Sequence, residues 1–199
     1  MPNLIGITGG SGSGKSYLAK GLANYLGQEN TTLIQLDNYY VEQTNLTADE
    51  KALYNWDLPC AINFAALETD VKLASQGTAV NQRAYDFEIH KPIVFSEKIQ
   101  VKQFVIIEGI FALYSPEVRK CLDLRIFVNA PTSLRYARRL ARDQKERGRT
   151  EAEIRRQFDE QVEPAYIEFV APQMAYADSV VSSTDEESYN FEKLLQPIS

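Results

Sequence analysis

The sequence predicts an α/β fold built on a parallel sheet. Three observations carry that reading: short apolar runs alternate with helical patterns along the chain, a glycine-rich loop sits between the first such run and the first helix, and two of the runs are long enough in β-branched residues to be buried on both faces.

The elements follow in order. Leu4–Thr8 reads as a short buried strand and Lys15–Leu26 as a helix stopped by Gly27. Thr31–Leu36 is a second strand and Asn63–Ser75 a second helix, ending near Gly77. Phe104–Ile107 carries a valine and two isoleucines, as a buried parallel strand should, and Leu124–Val128 resembles it. Two polar helices come next, Thr132–Arg147 and Glu151–Val170, the second kinked or split by Pro164. Ala177–Val181 is expected as the last strand and Tyr189–Leu195 as a final short helix. One segment breaks the rhythm: Ala79–Tyr85 and Ile93–Val101, around Asp86–Pro92, read as a β-hairpin flap outside the main sheet. The expectation is one domain over residues 1–199, with a flap at 79–101 and a lid at 132–157.

Bulk properties narrow the function classes. With 199 residues, 44% hydrophobic and 24% charged, the chain can bury a full core. A net charge of −6 argues against a nucleic-acid binder. The charge is uneven: Arg135 to Arg156 holds nine basic and four acidic residues, the remainder twelve and twenty-three. A basic patch on an acidic protein suits a compact anion such as a phosphate chain. Cys60 and Cys121 are too few and too far apart for a disulfide framework or a cysteine zinc site, and are expected to be buried reduced thiols. No apolar run approaches the roughly 20 residues that span a bilayer, and no secretory pattern is present at the N-terminus. The expectation is a cytoplasmic protein with no nucleic-acid or membrane partner. Oligomeric state stays open, a homo-oligomer included.

Gly9-Gly10-Ser11-Gly12-Ser13-Gly14-Lys15-Ser16 matches G-x-x-x-x-G-K-[ST], and its setting between a strand and a helix is what the motif requires. The glycines let backbone N–H groups turn inward on a phosphate, and the helix start adds its own unpaired N–H groups. Lys15 is placed to reach the β- and γ-phosphates and Ser16 to hold Mg²⁺. Tyr17, next in line, joins these residues as a nucleotide contact. The fold is therefore expected to be of the P-loop NTPase type.

Other candidates admit two readings each. Glu108 ends the Phe104–Ile107 strand at the ligand edge, so it either helps hold Mg²⁺ or caps a helix. Asp37 ends the second strand and either orients an attacking hydroxyl or forms an Asp-Asn turn. Arg135, Arg139 and Arg142 share one helical face, with Arg138 and Arg147 nearby. They form either a lid over the triphosphate or a solvated face paired to Asp143, Glu146 and Glu151.

With those residues in hand, the chain resembles the uridine kinase (uridine–cytidine kinase) family, within the group that includes phosphoribulokinase. The resemblance runs from about Leu4 to Val181. It rests on the phosphate loop and on six further motifs in order: Leu-Asp-Asn-Tyr-Tyr, Asn-Trp-Asp-Leu-Pro, Tyr-Asp-Phe-Glu-Ile-His, Ile-Ile-Glu-Gly-Ile-Phe-Ala-Leu-Tyr, the Arg-Arg-Leu-Ala-Arg-Asp-Gln-Lys-Glu-Arg-Gly-Arg run, and Val-Glu-Pro-Ala-Tyr. It implies ATP-dependent phosphorylation of the 5′-hydroxyl of uridine or cytidine, with Mg²⁺. It implies a catalytic Asp37 alongside Lys15, and lid residues Arg142 and Arg147 facing the phosphates. Asp57 is implied to bind the ribose hydroxyls, with Tyr40 and Trp56 on the acceptor side. Tyr85 and His90 are implied to read the base, and Arg139, Arg149 and Gln157 to hold the nucleoside.

Departures from the family pattern are Trp56 in place of Phe, Leu58 and Cys60 in place of polar residues, and Ser182–Asp185 in place of a Pro-Arg-Gly turn. They leave open another small hydroxylated acceptor, such as a sugar phosphate or pantothenate-like alcohol, and GTP as donor. A nucleotide-binding switch without catalysis is a rival from another class.

Overall fold

In the computed structural model, residues 1–87 and 89–198 are described, apart from the side chains at 48, 49, 52, 94, 146, 147 and 186. Five parallel strands form the main sheet: β1 (Asn3–Gly9), β2 (Thr31–Gln35), β5 (Phe104–Glu108), β6 (Leu124–Asn129) and β7 (Ser179–Ser182), in spatial order β2-β5-β1-β6-β7. A separate antiparallel pair, β3 (Val80–Asp86) and β4 (Lys91–Ile99), forms a hairpin. The order reverses at β1, so the crevice outside the carboxyl ends of the central strands opens where the phosphate loop begins.

The buried strands alternate between two cores. Ile5, Ile7, Ile106, Ile126 and Val128 pack with Leu18 and Leu22 of α1 (Lys15–Leu26) and with Leu194 and Leu195 of a C-terminal helix, Phe191–Leu195. Leu4, Val105, Ile107 and Phe127 face the other way. They pack against Leu67 and Val71 of α3 (Phe64–Ser75) and Val118 of α4 (Pro116–Cys121). Two apolar faces explain why the central strands are continuously hydrophobic.

The parallel sheet matches expectation, and several boundaries move. Helices α2 (Ala48–Leu53) and α4 have no counterpart among the expected elements. Both are only six residues long and begin at caps, Thr47 with Glu50 as a capping box and Ser115 before Pro116, so the signal lies in the cap chemistry rather than in periodicity. The hairpin strands reach Asp86 and Lys91, so the turn is shorter than the Asp86–Pro92 loop expected, and His90 takes a positive φ of 54°.

Beyond α5 (Thr132–Arg147) and α6 (Glu151–Gln157), the chain stays helical through Pro164 by changing register. π-turns at Phe158–Val162 and Tyr166–Val170 flank α7 (Glu163–Ala165), and Glu163 N–H bonds back to Phe158 O. The wider π ladder accommodates a proline that has no N–H to give. Gln173, in the 3₁₀ turn Ala171–Tyr176, is buried and fully satisfied. It donates to Ile110 O (2.8 Å) and Phe169 O (3.0 Å), and accepts from Leu113 N (3.0 Å) and Thr8 Oγ1 (3.3 Å).

The expectation of two buried thiols is corrected. Cys60 is exposed and Cys121 half-buried, and both are free. Cys60 follows Pro59 in a surface 3₁₀ turn whose buried member is Ala61, and its sulfur lies 3.7 Å from the Tyr54 hydroxyl. No helix among the described residues is long and apolar enough to cross a membrane.

Candidate active site

The phosphate loop turns from the end of β1 into α1. Gly12 and Gly14 have φ of 78° and 101°, and a Cβ on Gly12 would come 2.4 Å from the Arg135 carbonyl oxygen. Glycine is thus required there both by conformation and by the close approach of α5. Ser13 donates its backbone N–H to Gly10 O at 3.0 Å, and its buried hydroxyl has no hydrogen-bond partner among the described residues. A buried polar atom left this way, in a glycine-rich loop at a helix start, suits a phosphate oxygen. Lys15 and Ser16 open α1. Tyr17 is 77% exposed and meets Tyr189 edge-on at 6.2 Å.

Strand register brings the acidic candidates to one edge. Glu108 pairs with Ile7 of β1 and with Gln35 of β2. Its carboxylate is buried and accepts from the Ser16 hydroxyl, 3.2 Å from each oxygen, and from Gln35 Nε2 at 3.3 Å. The cap of the following helix is Ser115 rather than Glu108. A buried carboxylate touching a hydroxyl and an amide fits Mg²⁺, which keeps several waters and takes one or two protein oxygens. Asp37 lies two residues past Gln35, exposed, in the 3₁₀ turn Leu36–Tyr39 at the same edge.

Beyond that turn the aromatic residues converge. Tyr40 lies 5.6 Å from Trp56 and 5.4 Å from Tyr85, ring centre to ring centre. Trp56 lies 6.2 Å from Tyr85 and stacks on His90 at 4.8 Å with 4° between planes. His90 therefore covers one face of the Trp56 ring in this structure. The Tyr85 hydroxyl is buried with no hydrogen-bond partner among the described residues. Burial, with Glu42 and Asp86 adding to it, pushes that phenol above its ordinary value, so Tyr85 is a neutral donor. Trp56 is steadied by its Nε1–H on Lys51 O at 3.1 Å, and Asp57 N–H bonds Asn55 Oδ1 at 3.0 Å.

Arg139 links the two halves. Its Nη1 donates to Ser11 Oγ at 2.9 Å and sits 3.7 Å from Asp57 Oδ2, while Nη2 donates to Gln157 Oε1 at 3.0 Å. Arg149 Nη1 donates to the same amide oxygen at 2.6 Å. Arg139, Arg149, Gln157 and Asp57 thus meet at one place.

The other arginines of α5 diverge from the shared-face expectation. Arg135 is 1% exposed, ion-paired to Glu163 at 2.7 Å and laid on the Tyr166 ring at 3.7 Å. It is a packed cation beneath the loop, not a lid group, because Glu163 and Tyr166 come from a segment about 30 residues away. Arg138 Nη1 donates to Ser13 O at 3.0 Å. Arg142 is half-exposed and pairs with Asp143 at 2.8 Å, the solvated-face alternative in part. The Arg147 side chain lies outside the described residues. Sequence reading gave no role to Arg138 as a loop contact or to Glu163 as the half-buried partner of Arg135. A polar residue on a helix reads as surface until its partner is known.

Comparison with known proteins agrees with this architecture. Residues 4–189 match the model of the phosphoribulokinase / uridine kinase family. A uridine kinase of Alkaliphilus metalliredigens is 38% identical over 180 residues, covering 90% of this chain and 86% of the relative. A uridine kinase of Brevibacillus brevis is 37% identical over 193 residues, covering 95% and 87%. Among solved structures, phosphoribulokinase from Rhodobacter spheroides superposes with a TM-score of 0.67 at 14% identity, over 91% of this chain and 70% of that one. That likeness concerns the fold, whereas the sequence matches span nearly the whole chain at levels that share a family. The chain belongs to the phosphoribulokinase / uridine kinase family of P-loop phosphotransferases.

Proposed function

We propose that this kinase transfers the γ-phosphoryl group of ATP to the 5′-hydroxyl of uridine or cytidine, giving the nucleoside monophosphate and ADP. The observation that carries the reading is the aromatic box with the buried, unpartnered Tyr85 hydroxyl inside it. A flat base with one polar edge would satisfy that hydroxyl while covering apolar rings. The relatives named as uridine kinases support the same acceptor class.

In this reading Asp57 accepts from the ribose diol, held near Arg139, and Gln157 and Arg149 close the far side. Asp37 accepts the proton of the attacking hydroxyl and aims it at phosphorus. Lys15 and the loop N–H groups hold the β- and γ-phosphates, with Arg142 and Arg147 over them. Ser16 and Glu108 would hold Mg²⁺, which neutralises charge on the phosphate oxygens. Positioning contributes most of the rate. Free thiols at Cys60 and Cys121 suit a reducing compartment, and we assign the enzyme to the cytoplasm.

The test is ADP release against the four ribonucleosides, their 2′-deoxy forms and small alcohols, with wild type and Asp57→Ala. Uridine and cytidine should exceed adenosine and guanosine in kcat/KM. Asp57→Ala should cost ribonucleosides about 1.5–3 kcal/mol, the worth of hydrogen bonds to a charged group, and deoxynucleosides less. A purine or a non-nucleoside alcohol as best acceptor would overturn the assignment.

A further inference from the structure

Asp70 is the buried acid that the mechanism above does not use. Its carboxylate, on α3, is fully enclosed. Three donors from two other segments converge on it: the Tyr39 hydroxyl at 3.0 Å, Asn81 Nδ2 at 3.2 Å and Arg83 Nε at 2.6 Å. Arg83 also sits over the Tyr39 ring, 5.2 Å from its centre. Burial and the adjacent carboxylate push the Tyr39 phenol above its ordinary value, so it remains a donor.

The placement of these donors matters more than their number. Tyr39 closes the same turn, Leu36–Tyr39, that presents Asp37. Asn81 and Arg83 lie on β3, two residues before Tyr85 in the case of Arg83. The backbone ties the turn to the start of α3, with Asn63 N–H on Tyr39 O at 2.8 Å and Val41 N–H on Ala61 O at 2.9 Å. One carboxylate therefore ties the turn holding the candidate base to the strand holding the base-reading tyrosine. A buried ion with all its donors supplied fixes relative geometry more firmly than apolar packing, which tolerates sliding.

We propose that Asp70 is a positioning residue that locks the Asp37 turn to the hairpin, so that hydroxyl activation and base recognition keep a fixed separation. It acts through Tyr39 and Arg83 and touches no substrate. The proposal rests on the reading of Asp37 and Tyr85 as acceptor-side groups. A one-ångström displacement of such groups lowers rate by about a hundredfold.

The experiment compares wild type with Asp70→Asn, Tyr39→Phe, Arg83→Gln and the Tyr39→Phe/Arg83→Gln pair. Asp70→Asn should lower kcat/KM for uridine about 10- to 100-fold and leave the KM for ATP within about twofold, since the phosphate loop is held elsewhere. The two single changes should be non-additive on uridine kcat/KM, because each loosens one lock. If Asp70→Asn does not fold, the single and paired changes, which keep the carboxylate, carry the test alone. Additive losses, or an equal rise in the KM for ATP, overturn the proposal.

Should wild type show no turnover of uridine, the nucleoside reading fails first. Hydrogen exchange on the same variants then decides. Arg83→Gln should lose protection at residues 36–40 as well as 80–86. Loss confined to the hairpin overturns the lock.

Discussion

Arg139 donates to the Ser11 hydroxyl at 2.9 Å, joining helix α5 to the phosphate loop. The same guanidinium reaches Gln157 and approaches Asp57, so in the proposed reading donor and acceptor sides share one side chain. Replacing Arg139 with Met should lower kcat/KM for both substrates by about a hundredfold, within the 2–5 kcal/mol range for truncating a buried charged partner. Lys should restore little, since an ammonium cannot span three partners set by a planar fork. Steady-state kinetics on both variants checks this. Loss on one substrate alone would separate the two sides.

Asp37 stands exposed at the sheet edge, outside the buried core. Asp37→Asn should therefore lower kcat by about 10²–10⁴-fold, the range for a general base, with the KM for ATP and thermal stability unchanged. Collapse of ATP affinity with kcat retained would make Asp37 a structural or metal residue.

Glu108 is buried against Ser16 and Gln35, and Glu108→Gln keeps its volume. The half-saturating Mg²⁺ concentration should rise about 10–100-fold, with activity partly recovered at high Mg²⁺. Ser16→Ala should move the same quantity in the same direction. A magnesium titration at fixed ATP reads both. An unchanged titration would remove Glu108 from the metal site.

Asp178 predicts a pH dependence of stability. Its hydrogen bonds from Arg125, at 2.6 and 3.0 Å through the guanidinium and 2.8 Å through the backbone N–H, hold the carboxyl below its ordinary value. With the folded value depressed, the unfolded chain binds the proton first. The contribution is then present above the ordinary carboxyl range, near pH 4, and is lost as pH falls through the folded value. Asp178→Asn should lower Tm at pH 7, with the gap to wild type closing in acid. Scans at pH 7, 5 and 3 test the sign.

The phosphate loop, the parallel strands and the family were legible in the chain because each is a contiguous signal. A loop flanked by a strand and a helix is specified over about fourteen residues, and Ile106 or Ile126 must be buried whichever neighbour it meets. The acceptor roles proposed for Asp57, Tyr85 and His90 come only through resemblance, since nothing local marks one aspartate or one histidine as a ligand.

Long-range contacts decided the remainder. Arg135 looked like its lid neighbours on α5 until Glu163 and Tyr166 folded over it. Gln173 and Asp70 are enclosed because partners up to 165 positions away supply their hydrogen bonds. His90 read as a hairpin-tip residue, and its stacking on Trp56 depends on where the hairpin sits against the segment after α2. Sequence alone determined which segments carry the phosphate chemistry, because backbone conformation and apolar burial are local demands. Tertiary structure decided which charges are buried and structural, because a polar side chain is buried only where distant segments supply its partners.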